Sequence, residues 1–564
     1  MPHKIRELSQ RRALTFDPVI LLVGILTLAG LALRFWKIHY GLPDVTFANE
    51  EITCYPSLNL GGQGFNPRHF IHPNLYYYLW FFLDAIFILG SLATGHFKST
   101  SDAWLLYKTN PTVYFVMGRS ISALLGTLTI PLTYEIGRKF FGKKGGLGGA
   151  FFLTVSLVHV QWSQIAYMDA PLTFFVMLTF VFALAALETG RVRDFVLAGL
   201  FGGLSTSTKY HGAPTLLWGP LACFLCQEKS AKNLLASFWD RRVLLFFCFF
   251  IFGFTLGTPF WILDFPEFKK QFLMMCGWFR PRGQGHVGIE GDWNWGYYLF
   301  TTLPYSVGLP VLASSLLGIL LLIRQISRRN FYFLSFPAAY FFIAGFTKIR
   351  QAKYVMPVFP FLCLAAGFFL VFTIEKWLAR KNRSAGTALF LATLLVGLPS
   401  LTSTLRYNYL KGFPDTRQLA IEWMDAHVPP ESSLLGSSNI WWHRVPRGPK
   451  MVDLDPGLID QRLENRTSLK SLEEYRKEGF DYIVLDEWHL GLLLGEEAGN
   501  PKYQAAIERY RKFLEDLRQS ARRVALFSPY RGESPPFDRE NANYASRALW
   551  RIKRFGPAIE IYKL

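Results

Sequence analysis

The stretch FDPVILLVGILTLAGLALRFW, residues 16–36, is an apolar run that follows the basic stretch HKIRELSQRR, residues 3–12. About 20 mostly apolar residues in a helix suffice to cross the roughly 30 Å hydrocarbon core of a bilayer. Basic residues favour the cytoplasmic flank of such a helix. The run is too long for the apolar part of a cleaved signal peptide, and its end lacks the small residues needed for cleavage. It therefore predicts a permanent membrane anchor with a cytoplasmic N-terminus.

The composition of the whole chain also indicates a membrane protein. Of 564 residues, 51% are hydrophobic and 18% are charged, and 60 Lys+Arg against 41 Asp+Glu give a net charge of +19. A basic excess of this size suits a partner that is either nucleic acid or an anionic membrane. Here the basic residues lie between apolar runs, as they do in polytopic membrane proteins. We therefore predict membrane lipids as partners and no nucleic acid.

Further apolar runs continue this pattern along the chain. They fall near residues 115–137, 145–161, 170–188, 195–208, 213–227, 243–261, 295–323, 331–346, 354–374 and 385–404. Lys and Arg cluster at every second connection between them, which predicts that those connections are cytoplasmic. The stretch HPNLYYYLWFFLDAIFIL, residues 72–89, would break the alternation if it crossed once, so we predict a re-entrant or interfacial helix there. Residues 1–404 are thus predicted to form a polytopic α-helical membrane domain.

Residues 405–564 differ in kind, because long apolar runs stop and charges become frequent. Segments 416–427, 472–477 and 503–522 have helical spacing, whereas 482–485 and 523–527 resemble short strands. The stretch predicts a C-terminal α/β domain. The alternation of loops places this domain on the outer, extracytoplasmic side, together with a first outer loop at 37–72 and a long outer loop at 262–294.

Two outer positions carry candidate catalytic carboxylates. Glu50 and Glu51 are adjacent in ANEE, and on a helix their side chains diverge by about 100°, so one can face a reaction centre while the other binds a neighbouring group. A carboxylate in such a position can act as a general base toward a hydroxyl or an amine. Asp169 in YMDAPLTFF is the second position. Its place before Ala170 and Pro171 also fits an ordinary helix N-cap, and both interpretations stay open.

Several cations occur on the outer side, where the orientation rule does not favour them. They are Lys209, Lys348, Arg350 and Lys353. Such side chains can extend to lipid headgroups. They can also bind the phosphate of a lipid-linked substrate, with Arg as a fork and Lys as a point charge. The glycines of loop 262–294, which also holds His286 and Trp293, predict a mobile lid over a substrate, although Trp at an interface is often a membrane-belt residue.

Several motifs, in this order, resemble the protein O-mannosyltransferase and aminoarabinose-transferase branch of the GT-C glycosyltransferases, also labelled phospholipid-carrier-dependent glycosyltransferases. They are ANEE (48–51), NPRHFIHPNLYYYL (66–79), GRSISALLGTLTIPLTYEIGRKFFG (118–142), HVQWSQIAYMDAPLTFF (159–175), STKYHG (207–212), KIRQAKYVMPVFP (348–360), DTRQLAIEWMDAHVPPESSLL (415–435) and GFDYIVLDEW (479–488). The resemblance covers the whole chain. It implies a GT-C fold of about 11 to 13 transmembrane helices with interfacial juxtamembrane helices.

The resemblance also implies an activity. The expected reaction is inverting transfer of a hexosyl or pentosyl group from a polyprenyl-phosphate carrier, at the outer face of the cytoplasmic (inner) membrane. The family's catalytic carboxylate falls on Glu50, with Glu51 as its neighbour and Asp169 as the second acidic position. The usual Asp-Glu is Glu-Glu here, which leaves open which of the two is the base. The expected acceptor is an envelope lipid or glycan such as lipopolysaccharide, and a protein acceptor is less favoured because no further luminal module is evident.

The family's phosphate-binding positions are implied at further residues. They are His72, Arg119, Lys209, Arg350 and Lys353. Some GT-C relatives use a divalent cation, which Glu50 and Asp169 are candidates to bind, but the sequence gives no ligand count and no certain cofactor. Two other functions stay open at this stage. A transporter or lipid flippase would carry charges within its spans and paired repeats, and a non-catalytic membrane-anchored binding module would rely on the C-terminal domain.

Overall fold

The protein divides into a helical part up to residue 410 and an α/β part after it. The computed structural model describes residues 17–44, 47, 49–226, 234–280, 291, 293–379, 386–436, 450–454, 469–491, 494–495, 501, 504–538 and 547–564. The helices of the first part are α1 (Pro18–Phe35), α2 (Glu50–Asn59), α3 (Leu75–Ala93), α4 (Thr100–Thr109), α5 (Thr112–Thr154), α6 (Leu157–Ser163), α7 (Asp169–Thr189), α8 (Val192–Thr208), α9 (Trp218–Cys226), α10 (Leu234–Ser237), α11 (Arg241–Gly257), α12 (Phe260–Leu263), α13 (Phe265–Phe279), α14 (Asn294–Gly296), α15 (Leu303–Val307), α16 (Leu309–Arg324), α17 (Arg328–Phe346), α18 (Phe359–Ala379) and α19 (Gly386–Leu410).

Membrane-spanning character is clear in the described part of the chain. Six of its helices are long and apolar enough to cross a bilayer, and a seventh span results if the pair 294–307 and 309–324, bent by 118°, counts as one. Helices α8 and α11, of 17 residues each, pack closely along each other. A methyl group added at Gly203 would come within 2.1 Å of the Phe250 carbonyl oxygen, which shows how small residues bring the two backbones together. The predicted multi-pass helical membrane protein is confirmed.

Helix α5 contains the junction between two predicted runs. Gly142 has a φ of 76° and interrupts the helical backbone, in the left-handed region that glycine adopts most readily. Lys143, next to it, pairs with Asp17 at the start of α1 at 2.6 Å. The kink therefore separates the predicted runs 115–137 and 145–161 and brings the connection between them to the beginning of the first span.

The basic connections collect at one end of the helical bundle. Besides the Lys143 pair, Lys144 binds Glu375 at 2.7 Å, and Arg329 binds Glu188 at 2.9 Å. These residues belong to connections that the sequence places together on the cytoplasmic side. We call this the basic end, and the opposite end, where α2 and the α/β domain lie, the site end.

Helix α3 covers the stretch predicted to be re-entrant or interfacial, although by length and composition it could cross a membrane. The Tyr76 hydroxyl donates to the Gly118 carbonyl at 2.7 Å, and Trp80 Nε1 donates to the Tyr114 carbonyl at 3.1 Å. Farther along α3, Phe87 still packs on the Tyr114 ring, at 5.9 Å. These contacts join α3 to the first part of α5. The interfacial position of α3 stays a prediction.

The C-terminal part is an α/β domain around one sheet. Its elements are α20 (Thr416–His427), β1 (Ser433–Gly436), β2 (Lys450–Asp453), α21 (Leu472–Lys477), β3 (Tyr482–Asp486), α22 (Glu487–Gly491), α23 (Gln504–Ser520), β4 (Arg522–Phe527) and β5 (Ile559–Lys563). The strand order is β2-β1-β3-β5-β4, with parallel β2-β1-β3 pairing and antiparallel pairing of β5 to β3 and β4. Adjacent residues of β3 face opposite ways, so that Val484 packs with α20 and Ile483 packs with α21 and α23. The predicted α/β domain is confirmed.

The α/β domain rests directly on the site end of the bundle. Helix α19 runs to Leu410, six residues beyond the predicted boundary at 404. The Tyr40 hydroxyl of the first loop donates to the Asp415 carboxylate at 3.3 Å, and Gln418 donates to the Gly41 carbonyl at 3.3 Å. The domain therefore contacts the same loop that leads to Glu50.

Candidate functional site

Glu50 is the first residue of α2 and points into the bundle. Asn49 before it has a φ of 78°, a left-handed backbone that Asn tolerates better than most residues. The Glu50 side chain is fully buried. Its carboxylate accepts hydrogen bonds from the backbone N–H groups of Phe47 at 2.9 Å and Ala166 at 2.8 Å. The protein itself therefore holds both oxygens.

Arg119, in the first part of α5, completes the surroundings of Glu50. Its Nε donates to Glu50 Oε1 at 2.8 Å, and its Nη2 donates to Oε2 at 2.7 Å. Its Nη1 donates to the carbonyls of Ile38 at 2.7 Å and Tyr40 at 2.9 Å. A bidentate pair of this kind is geometrically rigid, and the two buried charges compensate each other. The pair thus fastens the first outer loop to α5.

The connection between α6 and α7 carries the second acidic position, and it is held from two sides. The Ala166 carbonyl accepts a hydrogen bond from Thr53 of α2 at 3.1 Å. The Tyr167 carbonyl accepts one from Ser122 of α5 at 2.9 Å. Because Glu50 binds the Ala166 N–H as well, α2 fixes the place where α7 begins.

Asp169 and Lys209 form a second buried ion pair. Lys209 Nζ lies 2.6 Å from Asp169 Oδ1, and the side chains are only 3% and 1% exposed. Asp169 Oδ2 is buried and has no hydrogen-bond partner among the residues that the structure describes. One carboxylate oxygen is therefore engaged, and the other can accept a hydrogen bond.

Lys353 adds a second buried ammonium group close by. Its Nζ lies 4.6 Å from the ring centres of both Trp162 and Tyr167. Lys209 Nζ lies 5.4 Å from the same Tyr167 ring and 4.9 Å from the Tyr354 ring. Aromatic faces attract such cations, most strongly where water is excluded. The ammonium groups of Lys209 and Lys353 therefore lie beside the same aromatic ring, that of Tyr167.

His72 joins this group through Tyr167. Its Nε2 lies 2.8 Å from the Tyr167 hydroxyl. Burial, with the charges of Lys209 and other nearby cations, holds the pKa of His72 well below its ordinary value. The imidazole is therefore neutral near pH 7 and can exchange a hydrogen bond. We call His72, Tyr167, Asp169, Lys209 and Lys353 the lysine cluster.

The long outer loop predicted over 262–294 is partly helical in its described residues. Helix α13 occupies residues 265–279. Phe279 and Gly291, which lie before and after the next segment, both form backbone hydrogen bonds with Lys348. The Lys348 N–H donates to the Phe279 carbonyl at 3.0 Å, and the Gly291 N–H donates to the Lys348 carbonyl at 2.9 Å. The loop is thus tied to the segment that leads to Lys353.

Three residues predicted near this loop have different outcomes. Arg350 lies close to Lys353 in the sequence. Its guanidinium lies 4.7 Å from the Tyr297 ring centre, so this contact is with an aromatic ring and not with a carboxylate. Trp293 is 75% exposed and packs on Trp295 at 5.0 Å. His286 lies outside the described residues.

Glu51 is half-buried on the flank of α2. Its charge acts on Cys54 of the same helix and on Tyr107 of α4. The donor set does not suit the divalent cation considered for Glu50 and Asp169. Both Glu50 oxygens are occupied by N–H groups, and Lys209 already neutralises Asp169. Among the described residues, no group of three His, Cys, Asp or Glu side chains could hold a metal.

One further buried cation, Lys411, directly follows α19 and was not indicated by any motif. Its Nζ donates to Gln164 Oε1, at the start of the α6–α7 connection. Gln164 Nε2 in turn donates to the Leu33 carbonyl at 2.7 Å and to Asn408 at 3.0 Å. A lysine after an apolar run ordinarily marks only the end of a span. Its burial depends on distant parts of the chain.

Comparison with known proteins agrees with this architecture. The dolichyl-phosphate-mannose-protein mannosyltransferase family matches residues 113–255. No curated protein matches the sequence. ArnT from Cupriavidus metallidurans bound to undecaprenyl phosphate is similar in structure, with a TM-score of 0.53 and 14% identity over 96% of this chain and 97% of that chain. The Archaeoglobus fulgidus oligosaccharyltransferase tethered with an acceptor peptide containing the NVT sequon has a TM-score of 0.55 and 12% identity, covering 88% and 72%.

The chain has the GT-C fold. This confirms the fold expected from the motifs. The matched family and the archaeal structure are sugar transferases by name, so the chain's relatives are glycosyltransferases. The family match spans Arg119, Tyr167, Asp169 and Lys209, which places one member of the Glu50 pair and three members of the lysine cluster inside the matched region.

Proposed function

We propose that this protein is an inverting glycosyltransferase that takes its sugar from a polyprenyl-phosphate carrier. The observation that carries the proposal is the lysine cluster, in which the buried ammonium groups of Lys209 and Lys353 both lie beside the Tyr167 ring and Lys209 pairs with Asp169. Lysine ammonium groups bind phosphate as point charges. A phosphodiester with one negative charge is therefore a ligand that suits this place. The ArnT structure is bound to undecaprenyl phosphate, which is a polyprenyl phosphate without a sugar.

The proposed reaction is a single displacement at the anomeric carbon. The acceptor oxygen or nitrogen forms the new bond as the bond from the anomeric carbon to the phosphate oxygen breaks. The departing polyprenyl phosphate gains negative charge, which Lys209 and Lys353 stabilise where water is excluded. The neutral His72 donates or accepts one hydrogen bond at the same place, and Asp169 Oδ2 accepts one from a sugar hydroxyl.

The proton of the acceptor needs a base, and the geometry favours Glu51 over Glu50 for this role. Glu50 already accepts four hydrogen bonds, two of them from Arg119, and has no exposed surface. Glu51 has a partly exposed side chain on the same turn. In this proposal Glu50 positions the turn and Glu51 removes the proton.

The proposed location is the outer face of the cytoplasmic membrane, with the α/β domain outside. The basic end suits the cytoplasmic side because Lys and Arg accumulate there. The acceptor is proposed to be an envelope lipid or glycan. The α/β domain contacts the Glu50 loop and so lies where an acceptor from outside would approach.

The proposal is tested with purified protein in nanodiscs, a polyprenyl-phosphate sugar and an envelope-lipid extract. Transfer of sugar should be seen by mass spectrometry and should be lost in Asp169→Asn. A flippase would instead move the lipid-linked sugar across reconstituted vesicles without forming product. Movement without product in folded protein would replace the proposed function by the transporter alternative.

A further inference from the structure

One surface of the α/β domain lies at the level where the last span ends. Helix α19 presents an exposed apolar stripe toward its surroundings, formed by Leu391, Leu395, Leu398 and Leu405, with exposed fractions of 58%, 71%, 48% and 48%. Such a stripe is the lipid-facing side of a membrane helix. Arg406 follows the stripe within one turn. The boundary between hydrocarbon and headgroups therefore falls near Arg406.

At this level the α/β domain attaches to the span. Arg406 Nη2 donates to the Ile552 carbonyl at 2.8 Å. Ile552 itself is buried with Leu549 and Phe555 against Tyr407 at the end of α19. The segment around Ile552 is thus held at the height of the last turn of the span, rather than farther out above the membrane.

Backbone pairing orients the side chains of this segment. Tyr530 and Ile552 form an antiparallel bridge, in which the Arg531 N–H donates to the Arg551 carbonyl at 2.9 Å and the Lys553 N–H donates to the Pro529 carbonyl at 2.8 Å. Neighbouring pairs of an antiparallel ladder face opposite ways. Because Ile552 faces the bundle, Arg531, Arg551 and Lys553 share the other face.

This face is basic and carries an aromatic residue. Arg531, Arg551 and Lys553 are exposed, and the charge of Arg531 also acts on Arg406. None of these cations forms an ion pair with an acidic group within the described parts of the chain. Trp550 beside them is 61% exposed. We call Arg531, Trp550, Arg551 and Lys553 the basic bridge.

We propose that the basic bridge binds the anionic headgroups of membrane lipids and so seats the α/β domain on the bilayer. Tryptophan is enriched at the headgroup level, and each Lys or Arg close to an anionic surface adds to the attraction. Along α19 toward the α/β domain the apolar stripe comes first, and the cations and Trp550 follow. This is the order of hydrocarbon and headgroups in a bilayer. The inference does not depend on sugar transfer.

The test uses the full-length protein in two kinds of nanodisc, one of phosphatidylcholine alone and one equimolar in phosphatidylcholine and phosphatidylglycerol. Hydrogen exchange of peptides covering residues 529–531 and 550–554 is expected to be at least fivefold slower in the phosphatidylglycerol discs. Raising the salt from low to high concentration should remove the difference, because exposed charges are screened. The same rates in both discs would overturn the proposal.

A charge-removal variant and a matched control complete the test. Arg531→Ser, Arg551→Ser and Lys553→Ser combined should abolish the effect of phosphatidylglycerol. The control, Lys477→Ser, Arg511→Ser and Lys512→Ser, removes three exposed cations from α21 and α23 and should keep it. If the triple variant of the basic bridge does not fold, the salt dependence of hydrogen exchange in the wild-type protein tests the proposal instead. Equal slowing by inorganic phosphate in phosphatidylcholine discs would also overturn a membrane-binding role.

Discussion

Arg119 holds the Glu50 carboxylate through two N–H groups, at 2.8 and 2.7 Å, and both side chains are completely buried. The pair joins the loop after the first span, α5 and the connection before α7. Glu50, which the family motif indicates as the catalytic carboxylate, thus has a geometry suited to holding the site together. In the proposed mechanism, Glu51 and Asp169 rather than Glu50 have the chemical roles.

Breaking this pair should destabilise the protein. Glu50→Gln leaves the Arg119 charge buried without compensation, and removing one partner of a buried pair costs about 3–5 kcal/mol. We expect a clear fall in the thermal unfolding temperature in detergent, with loss of transfer as a consequence. The control is Glu51→Gln, which leaves the Glu50–Arg119 pair intact and should lose less unfolding temperature than Glu50→Gln. Wild-type stability of Glu50→Gln would refute the positioning role.

Glu51→Gln should separate binding from chemistry. If Glu51 is the base, kcat falls by about 100-fold or more, as is typical when general base catalysis is removed, while KM for the lipid-linked donor stays nearly unchanged. Steady-state kinetics with varied donor measure both constants. An unchanged kcat in Glu51→Gln would remove this residue from the mechanism.

Lys353→Gln should weaken donor binding in a protein that still folds. Loss of one charge-assisted contact to phosphate is worth about 1.5–3 kcal/mol, which corresponds to a rise in the donor KM of roughly 10- to 100-fold. Lys348→Gln is the matched control, because Lys348 lies five residues earlier in the same segment and outside the cluster. Equal effects of the two substitutions would argue against a phosphate site at the lysine cluster.

Lys411→Met should impair the site from a distance. Gln164 would lose the donor to its side-chain oxygen, at the start of the connection that carries Tyr167. We expect kcat to fall several-fold with a smaller change in donor KM, and Gln164→Leu to give a similar loss. The double variant should be no worse than either single one, because both remove the same contact. Lys376→Met, at an exposed lysine near the end of α18, should have no effect, and fully additive losses would contradict the coupling.

His72 should make stability depend on pH. Its pKa is lowered in the folded state, so protons bind the unfolded chain first as the pH falls below about 6.5. The stability contributed by neutral His72 is present above that pH and is lost below it, by up to about 1.4 kcal/mol per pH unit. His72→Gln should therefore lose less unfolding temperature between pH 7.5 and 5.5 than the wild type. Substituting the exposed His427 should leave the wild-type dependence intact, and a His72→Gln curve parallel to the wild type would disprove the effect.

Much of the fold could be predicted from local patterns. Apolar runs and the basic residues between them gave the helical bundle, and alternating short strands gave the α/β domain. The family motifs grouped Lys209 with Lys353 as phosphate-binding residues and grouped Asp169 with Glu50 and Glu51, so the pairing of Asp169 with Lys209 was not predicted. The helix α13 was missed, since its polar and aromatic residues resemble a loop at a membrane surface.

The roles of Glu50 and Lys411 could not be derived in the same way. Glu50 is held by residues 47, 119 and 166, and Lys411 is held by Gln164, so the environment of each depends on contacts between distant parts of the chain. No single motif contains that information. An adjacent Glu-Glu pair shows only that two carboxylates diverge, and not which one the bundle will bury.

The most direct measurement is sugar transfer by the purified protein from a polyprenyl-phosphate sugar, compared between the wild type and Asp169→Asn in the same nanodiscs. Product is expected with the wild type, and a loss of at least about 100-fold with folded Asp169→Asn, because Lys209 would lose its charged partner and the sugar would meet a neutral amide in place of the carboxylate. Transfer at the wild-type rate by folded Asp169→Asn would show that the lipid-linked sugar does not react at the lysine cluster.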